Sequence, residues 1–199
     1  MDRQRSAVAL LASTGVLFAI YPILRPYSSE VGRAGADAFA SPLWIAAHVS
    51  AMIGFITLVL ALRALNVGTV ADVTTLVGVG LVLPYYGAET FALNVLGTDA
   101  LDTGDYTVVD LAEPIRYGMT QSVMFGVGLV AIATGAVLAA RRSACWQGWV
   151  FAAGFVLFLP QFFAPPWLRI AHGLLILAGA ALLAARTFER QEISTTTGA

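Results

Sequence analysis

Three side chains in the apolar part of this chain, His48, Glu89 and His172, have the chemistry to do more than fill space. Two histidines on different helices can ligate a haem from both faces, with nearby arginines for its propionates. With Glu89 added, the same pair makes a two-histidine, one-carboxylate set for zinc or iron. A desolvated carboxyl can instead give or take a proton beside His48 or His172, as acid/base work on a lipid or isoprenoid would need. The third use is non-catalytic: the groups bind a ligand, or simply hydrogen-bond one helix to another.

What must position them is a set of helices in lipid. Of the 199 residues 58% are hydrophobic and 12% charged, and the mean hydropathy is +0.79, far more apolar than a soluble domain. The net charge of -1 and the scattered arginines leave no footprint for nucleic acid. Cys145 is the only cysteine, so no intrachain disulfide is possible. A bilayer core takes about 20 apolar residues per helix. The chain supplies six such runs, at 7–24, 43–65, 75–97, 117–140, 147–163 and 167–186. The fold class expected is therefore all-α, a polytopic transmembrane helical bundle of about six spans arranged as three hairpins. It should form a single bundle over 1–190, followed by a disordered tail over 191–199, where the sequence turns polar and loses apolar periodicity. The first apolar run stays as a span, because the Ala38-Phe39-Ala40 signal-peptidase-like site lies too far beyond it.

Arginine placement sets the orientation. With the N-terminus inside, Arg3, Arg5, Arg63, Arg141, Arg142, Arg186 and Arg190 are cytoplasmic and Arg25, Arg33, Arg116 and Arg169 are outside. The protein is thus expected in the cell membrane with both termini cytoplasmic. The acidic run Asp99, Asp102, Asp105, Asp110 and Glu113 then faces the exterior as a solvated loop, and its spacing is not that of a calcium-binding EF-hand.

The even-numbered spans share an opening. Pro42 precedes His48 by the same offset as Pro166 precedes His172, and Pro114 leads to Gln121; proline suits a first helical turn because its missing N–H had no partner there. At 1.5 Å per residue both histidines lie about 8 Å below the outer end of their helices, and Glu89 about 12 Å. Tyr21, Gln121 and Gln161 occupy similar levels, whereas the inner halves carry only hydroxyls: Ser13, Thr14, Thr57, Thr75 and Thr134. An acidic residue inside a span costs about 2.5–3.5 kcal/mol on insertion scales and normally faces the bundle interior.

The resulting expectation is a polar funnel open to the outside. Its site residues are His48, Glu89 and His172, with Arg116 and Arg169 at the rim beside Arg25, and Tyr85, Tyr86, Gln121 and Gln161 on the wall. Phe91, Phe162, Phe163 and Trp167 are available to line an apolar part. Transporters keep polar groups at the midplane and on both sides of it, so the pattern reads as a pocket rather than a pore. No zinc-protease, serine-hydrolase or phosphate-loop signature is present. The leading reading is a non-catalytic ligand-binding or accessory component. A membrane enzyme acting on a lipid or isoprenoid through Glu89, and a haem or metal protein using His48 and His172, stand as alternatives. Partners beyond the lipid bilayer, and any cofactor, are not specified by the sequence.

Overall fold

In a medium without water each backbone N–H and C=O must be satisfied within its own segment, which the helix does locally. The computed structural model describes residues 3–197, with side chains through Arg190, and among the described residues there is no strand. The protein is an all-α helical bundle of multi-pass membrane type. Among the described residues five helices are long and apolar enough to cross a bilayer. These are α1 (Arg3–Leu24), α3 (Pro42–Leu65), α4 (Thr69–Gly87) with its continuation through α5 (Leu93–Thr103), α7 (Met119–Ser143) and α9 (Pro166–Thr197).

The fifth expected span, 147–163, is not one continuous helix. It forms α8 (Trp146–Val156), then a turn and a 3-10 segment, Pro160–Phe163. Eleven residues of α-helix reach only about 16 Å, half the hydrocarbon thickness of about 30 Å, and proline at the head of the 3-10 segment cannot donate into the preceding turn. α8 nevertheless completes a ring of six: α1 packs on α3 and α9, α3 on α4, α4 on α7, and α8 between α7 and α9. The middle of the ring is filled by aromatics. Phe18 lies 4.9 Å from Phe55, 5.5 Å from Phe155 and 5.4 Å from Phe158, centroid to centroid, each edge-on.

Helix ends follow local rules. Ser41 accepts a hydrogen bond from the Leu43 N–H at 3.2 Å ahead of Pro42, a capped start with proline in the first turn. Asn66 ends α3 in the left-handed conformation, φ 58°, as is usual after a helix C-terminus. The connection expected over 66–74 shrinks accordingly, and α4 begins at Thr69.

The stretches at 32–40 and 98–117 do not stay irregular. They form α2 (Gly32–Ala40), the outer part of α5, a 3-10 segment (Tyr106–Leu111) and α6 (Ala112–Tyr117), which together cap one end of the ring. This cap has its own small core of Ala36, Phe39, Trp44, Leu93 and Val109. The opposite end, where α1 starts and α3, α7 and α9 reach their arginines, has no such cover. The expected tail, 191–199, falls partly where α9 runs on to Thr197; Gly198 and Ala199 lie outside the described residues.

Candidate functional site

Beneath the cap, four charged side chains alternate in sign. Arg25 Nη2 donates to Glu30 Oε1 at 2.6 Å, Glu30 Oε2 accepts from Arg116 Nη1, and Arg116 Nη2 donates to Glu89 Oε1 at 2.7 Å. The chain ends at His48, whose Nε2 lies 3.8 Å from the same Glu89 oxygen. Burial is nearly complete: exposure is 0% at His48, 4% at Glu89, 8% at Arg25 and 9% at Arg116. Glu30 is the member that reaches the surface, its side chain 27% exposed.

Each element has a local reason for its place. Glu89 sits in a π-helical segment, Ala88–Ala92, between α4 and α5, and such segments leave carbonyls out of the ordinary ladder. The Glu89 carbonyl accepts from Trp44 Nε1 at 2.8 Å. The Trp44 carbonyl accepts from His48 Nδ1 at 2.7 Å. That bond fixes the proton on Nδ1 and leaves Nε2 as the nitrogen turned toward Glu89, with no hydrogen-bond partner among the described residues. Tyr21 and Tyr86 wall the imidazole, at ring distances of 5.4 and 6.1 Å. Two glycines let the cap close. A Cβ on Gly97 of α5 would come within 2.8 Å of α2 backbone at Ala36 and Ala40, and one on Gly35 within 2.6 Å of the Glu30 backbone.

Electrostatics at the mouth follow from this packing. Burial opposes ionisation of Glu30, but the guanidiniums of Arg116 and Arg25 outweigh it and hold the carboxyl below the usual carboxylate range. Burial likewise opposes the charge on Arg116, and Glu89 and Glu30 more than restore it. Arg25 also lies over the Trp44 ring at 4.9 Å, a cation–π contact.

Only part of the expected set is brought together. His48, Glu89 and Arg116 meet, and Tyr86 stands beside them. His172 does not join: its Nε2 donates to the Gly154 carbonyl of α8 at 2.7 Å and its ring packs edge-on against Phe158. The two-histidine, one-carboxylate metal set is therefore not assembled, and among the described residues no group of three or more His, Cys, Asp or Glu stands ready for a metal ion. The two imidazoles also face different partners, so they do not form the opposed pair a haem would need.

The remaining expected residues lie elsewhere. Arg169 donates to the Phe162 carbonyl and lies over Tyr27 at 5.9 Å. Gln121 donates to the Pro114 carbonyl at 3.0 Å, tying α6 to α7. Gln161 lines a shallow apolar groove with His172. Tyr85 is the exception, standing against Arg116 while its ring stacks on Phe125 at 4.2 Å. Phe91, Phe163 and Trp167 are exposed on the outer surface, 55%, 87% and 67%, so they line no internal pocket. The funnel expected to be open is roofed by the cap, and two of its supposed rim arginines, Arg25 and Arg116, are buried beneath it.

Glu30 and the Trp44 indole were missed as site members. Glu30 has no apolar periodicity around it and pairs with a residue 86 positions away; the clue available was that it is the lone acid between Arg25 and Arg33 in the connection after α1. No protein family, curated protein or solved structure matches this chain.

Proposed function

We propose that the protein is a non-catalytic ligand-binding component of the cell membrane, and that its site at the capped end receives a small anion. The observation that carries this reading is Glu30. One half-exposed carboxylate bridges two buried arginines, and the Nε–H groups of both arginines have no acceptor among the described residues. The chain's own carboxylate thus bridges a two-arginine cradle with donors to spare, and a carboxylate or phosphate of similar shape would make the same bridging contacts. Glu89 behind it is engaged by Arg116, which makes it a counter-ion rather than a free acid or base.

The test is to empty the cradle. Glu30→Ala lowers the unfolding midpoint of the detergent-purified protein, and millimolar acetate or inorganic phosphate restores it by more than either shifts the wild type. If neither anion restores the variant, the ladder is a structural latch and the ligand-binding reading fails. Orientation has its own check. The arginine bias favours Cys145 and both termini in the cytoplasm; on that orientation a membrane-impermeant maleimide labels half-buried Cys145 only after cells are permeabilised.

A further inference from the structure

The uncovered end of the ring carries a second feature that the reading above does not use. Between α1, α3, α7, α8 and α9 lies a cavity of about 240 Å³ lined by Arg142, Arg186 and Arg190, with no Asp or Glu among the described residues of its wall. Its floor is apolar: Leu62, Ala140, Phe151 and Leu183 are all buried beneath it. Among the described residues neither Arg142 nor Arg190 has an ion-pair partner, and Arg186 has only Glu189, at 3.6 Å on the exposed surface. The hydroxyls at the rim are already committed as donors. Ser143 donates to the Ala140 carbonyl at 2.9 Å and Thr187 to the Leu183 carbonyl at 2.8 Å. The guanidiniums are the charged donors in a wall that also holds the Gln4 and Asn66 carboxamides.

We infer that this cavity is a binding site for a phosphate group, carried either by an anionic lipid or by a free phosphate compound. Three arginines line one space, and tetrahedral phosphate can offer each guanidinium an oxygen in forked geometry. A volume of about 240 Å³ falls below the roughly 300–1,000 Å³ of sites that enclose a whole drug-sized molecule. It suits a headgroup entering from the water side, and basic pockets between transmembrane helices take anionic headgroups by this chemistry. The apolar floor then meets the non-polar part of a bound amphiphile.

The experiment uses the full chain in neutral detergent. The unfolding midpoint and the bound lipid retained in native mass spectrometry are read with phosphatidylglycerol, with phosphatidylcholine and with inorganic phosphate. Phosphatidylglycerol is expected to raise the midpoint and remain bound where phosphatidylcholine does neither, identifying a lipid headgroup. The same stabilisation by inorganic phosphate alone identifies a free phosphate source. Arg142→Gln, Arg186→Gln and Arg190→Gln combined should weaken the effect on the order of a hundredfold, from about fivefold per arginine. Arg5→Gln with Arg141→Gln, exposed at the same end but outside this cavity, should leave it nearly intact. Absence of any anion effect overturns the site. So does an equal loss in the control pair, since the attraction would then belong to the whole basic surface.

Discussion

The two ends of the bundle handle charge in opposite ways. At the capped end every charged group of the ladder has an opposite neighbour: Arg25, Glu30, Arg116 and Glu89 alternate, and the cap leaves only Glu30 in reach of the surface. At the arginine-rich end Arg142 and Arg190 line a cavity with no carboxylate among the described residues of its wall. Between them lies the aromatic plug of Phe18, Phe55, Phe155 and Phe158, with no charged side chain in it. The difference teaches where sequence polarity is misleading. Buried charges on the apolar side of a membrane protein must be paired to be tolerated, so the end richest in intramembrane polar groups is the sealed one. Exposed arginines need no partner, and the end that looked merely basic holds the open cavity.

Breaking the pairing at the capped end should have the largest effect. Arg116→Ala strands Glu89 and Glu30 together, two carboxylates without their shared counter-ion, and removing one member of a buried pair costs about 3–5 kcal/mol. Chemical unfolding in detergent should show that loss. Arg116→Met combined with Glu89→Leu should recover a good part of it, because the uncompensated buried charge is gone; a double variant no better than Arg116→Ala would mean that geometry, not charge, governs the site.

Glu30 sharpens the same contrast through pH. Its folded-state carboxyl is held below the usual range by Arg116 and Arg25. Such a group adds stability that is complete above the unfolded-state pKa, about 4.3 for Glu, and that fades as pH falls through the lower folded value. The wild type should lose stability on acidification below about pH 4.3 more steeply than Glu30→Gln. The arginine-rich end contributes no comparable limb, so a pH profile unchanged by Glu30→Gln would place the acid sensitivity outside the ladder.

A smaller effect is expected from the indole. Trp44→Phe keeps the ring's packing against Phe39, 4.9 Å away, but removes the N–H that satisfies the Glu89 carbonyl in the π-helical segment. An unsatisfied buried acceptor costs about 1–3 kcal/mol. Hydrogen exchange should quicken at 88–93 while the arginine-rich end is unchanged.

Much of this architecture was legible in the sequence, and the rest fails for identifiable reasons. Hydropathy located the apolar runs, and residue counting put His48 and Glu89 in the same half of the bundle, where they meet at 3.8 Å. It could not find α2, because Gly-Arg-Ala-Gly-Ala-Asp-Ala-Phe-Ala is too weakly apolar to announce a helix, and its order comes from packing on Gly97. Nor could it find the π-helical turn, which is a tertiary compromise between α4, α5 and Trp44. Nor does hydropathy register the break in the fifth apolar run, because it counts apolar side chains and not the N–H that Pro160 lacks.

His172 marks the limit most clearly, and it is the smallest prediction. Pro42 and Pro166 open α3 and α9 at equal offsets from His48 and His172, so the count gives both imidazoles one depth. Depth is not azimuth. The direction a side chain faces is set by which helices flank its own: α3 lies between α1 and α4, which turns His48 to Tyr21, Tyr86 and Glu89, whereas α9 lies between α1 and α8, which turns His172 to the Gly154 carbonyl. A single interhelical hydrogen bond in a membrane protein contributes about 0.6 kcal/mol and at most about 1.7 in double-mutant cycles. His172→Phe should therefore shift stability by no more than that and leave the anion response of Glu30→Ala untouched, while His48→Phe should alter that response because its ring stands against Glu89. An anion response changed by His172→Phe would show that the two histidines are coupled after all, through Phe158 and the plug.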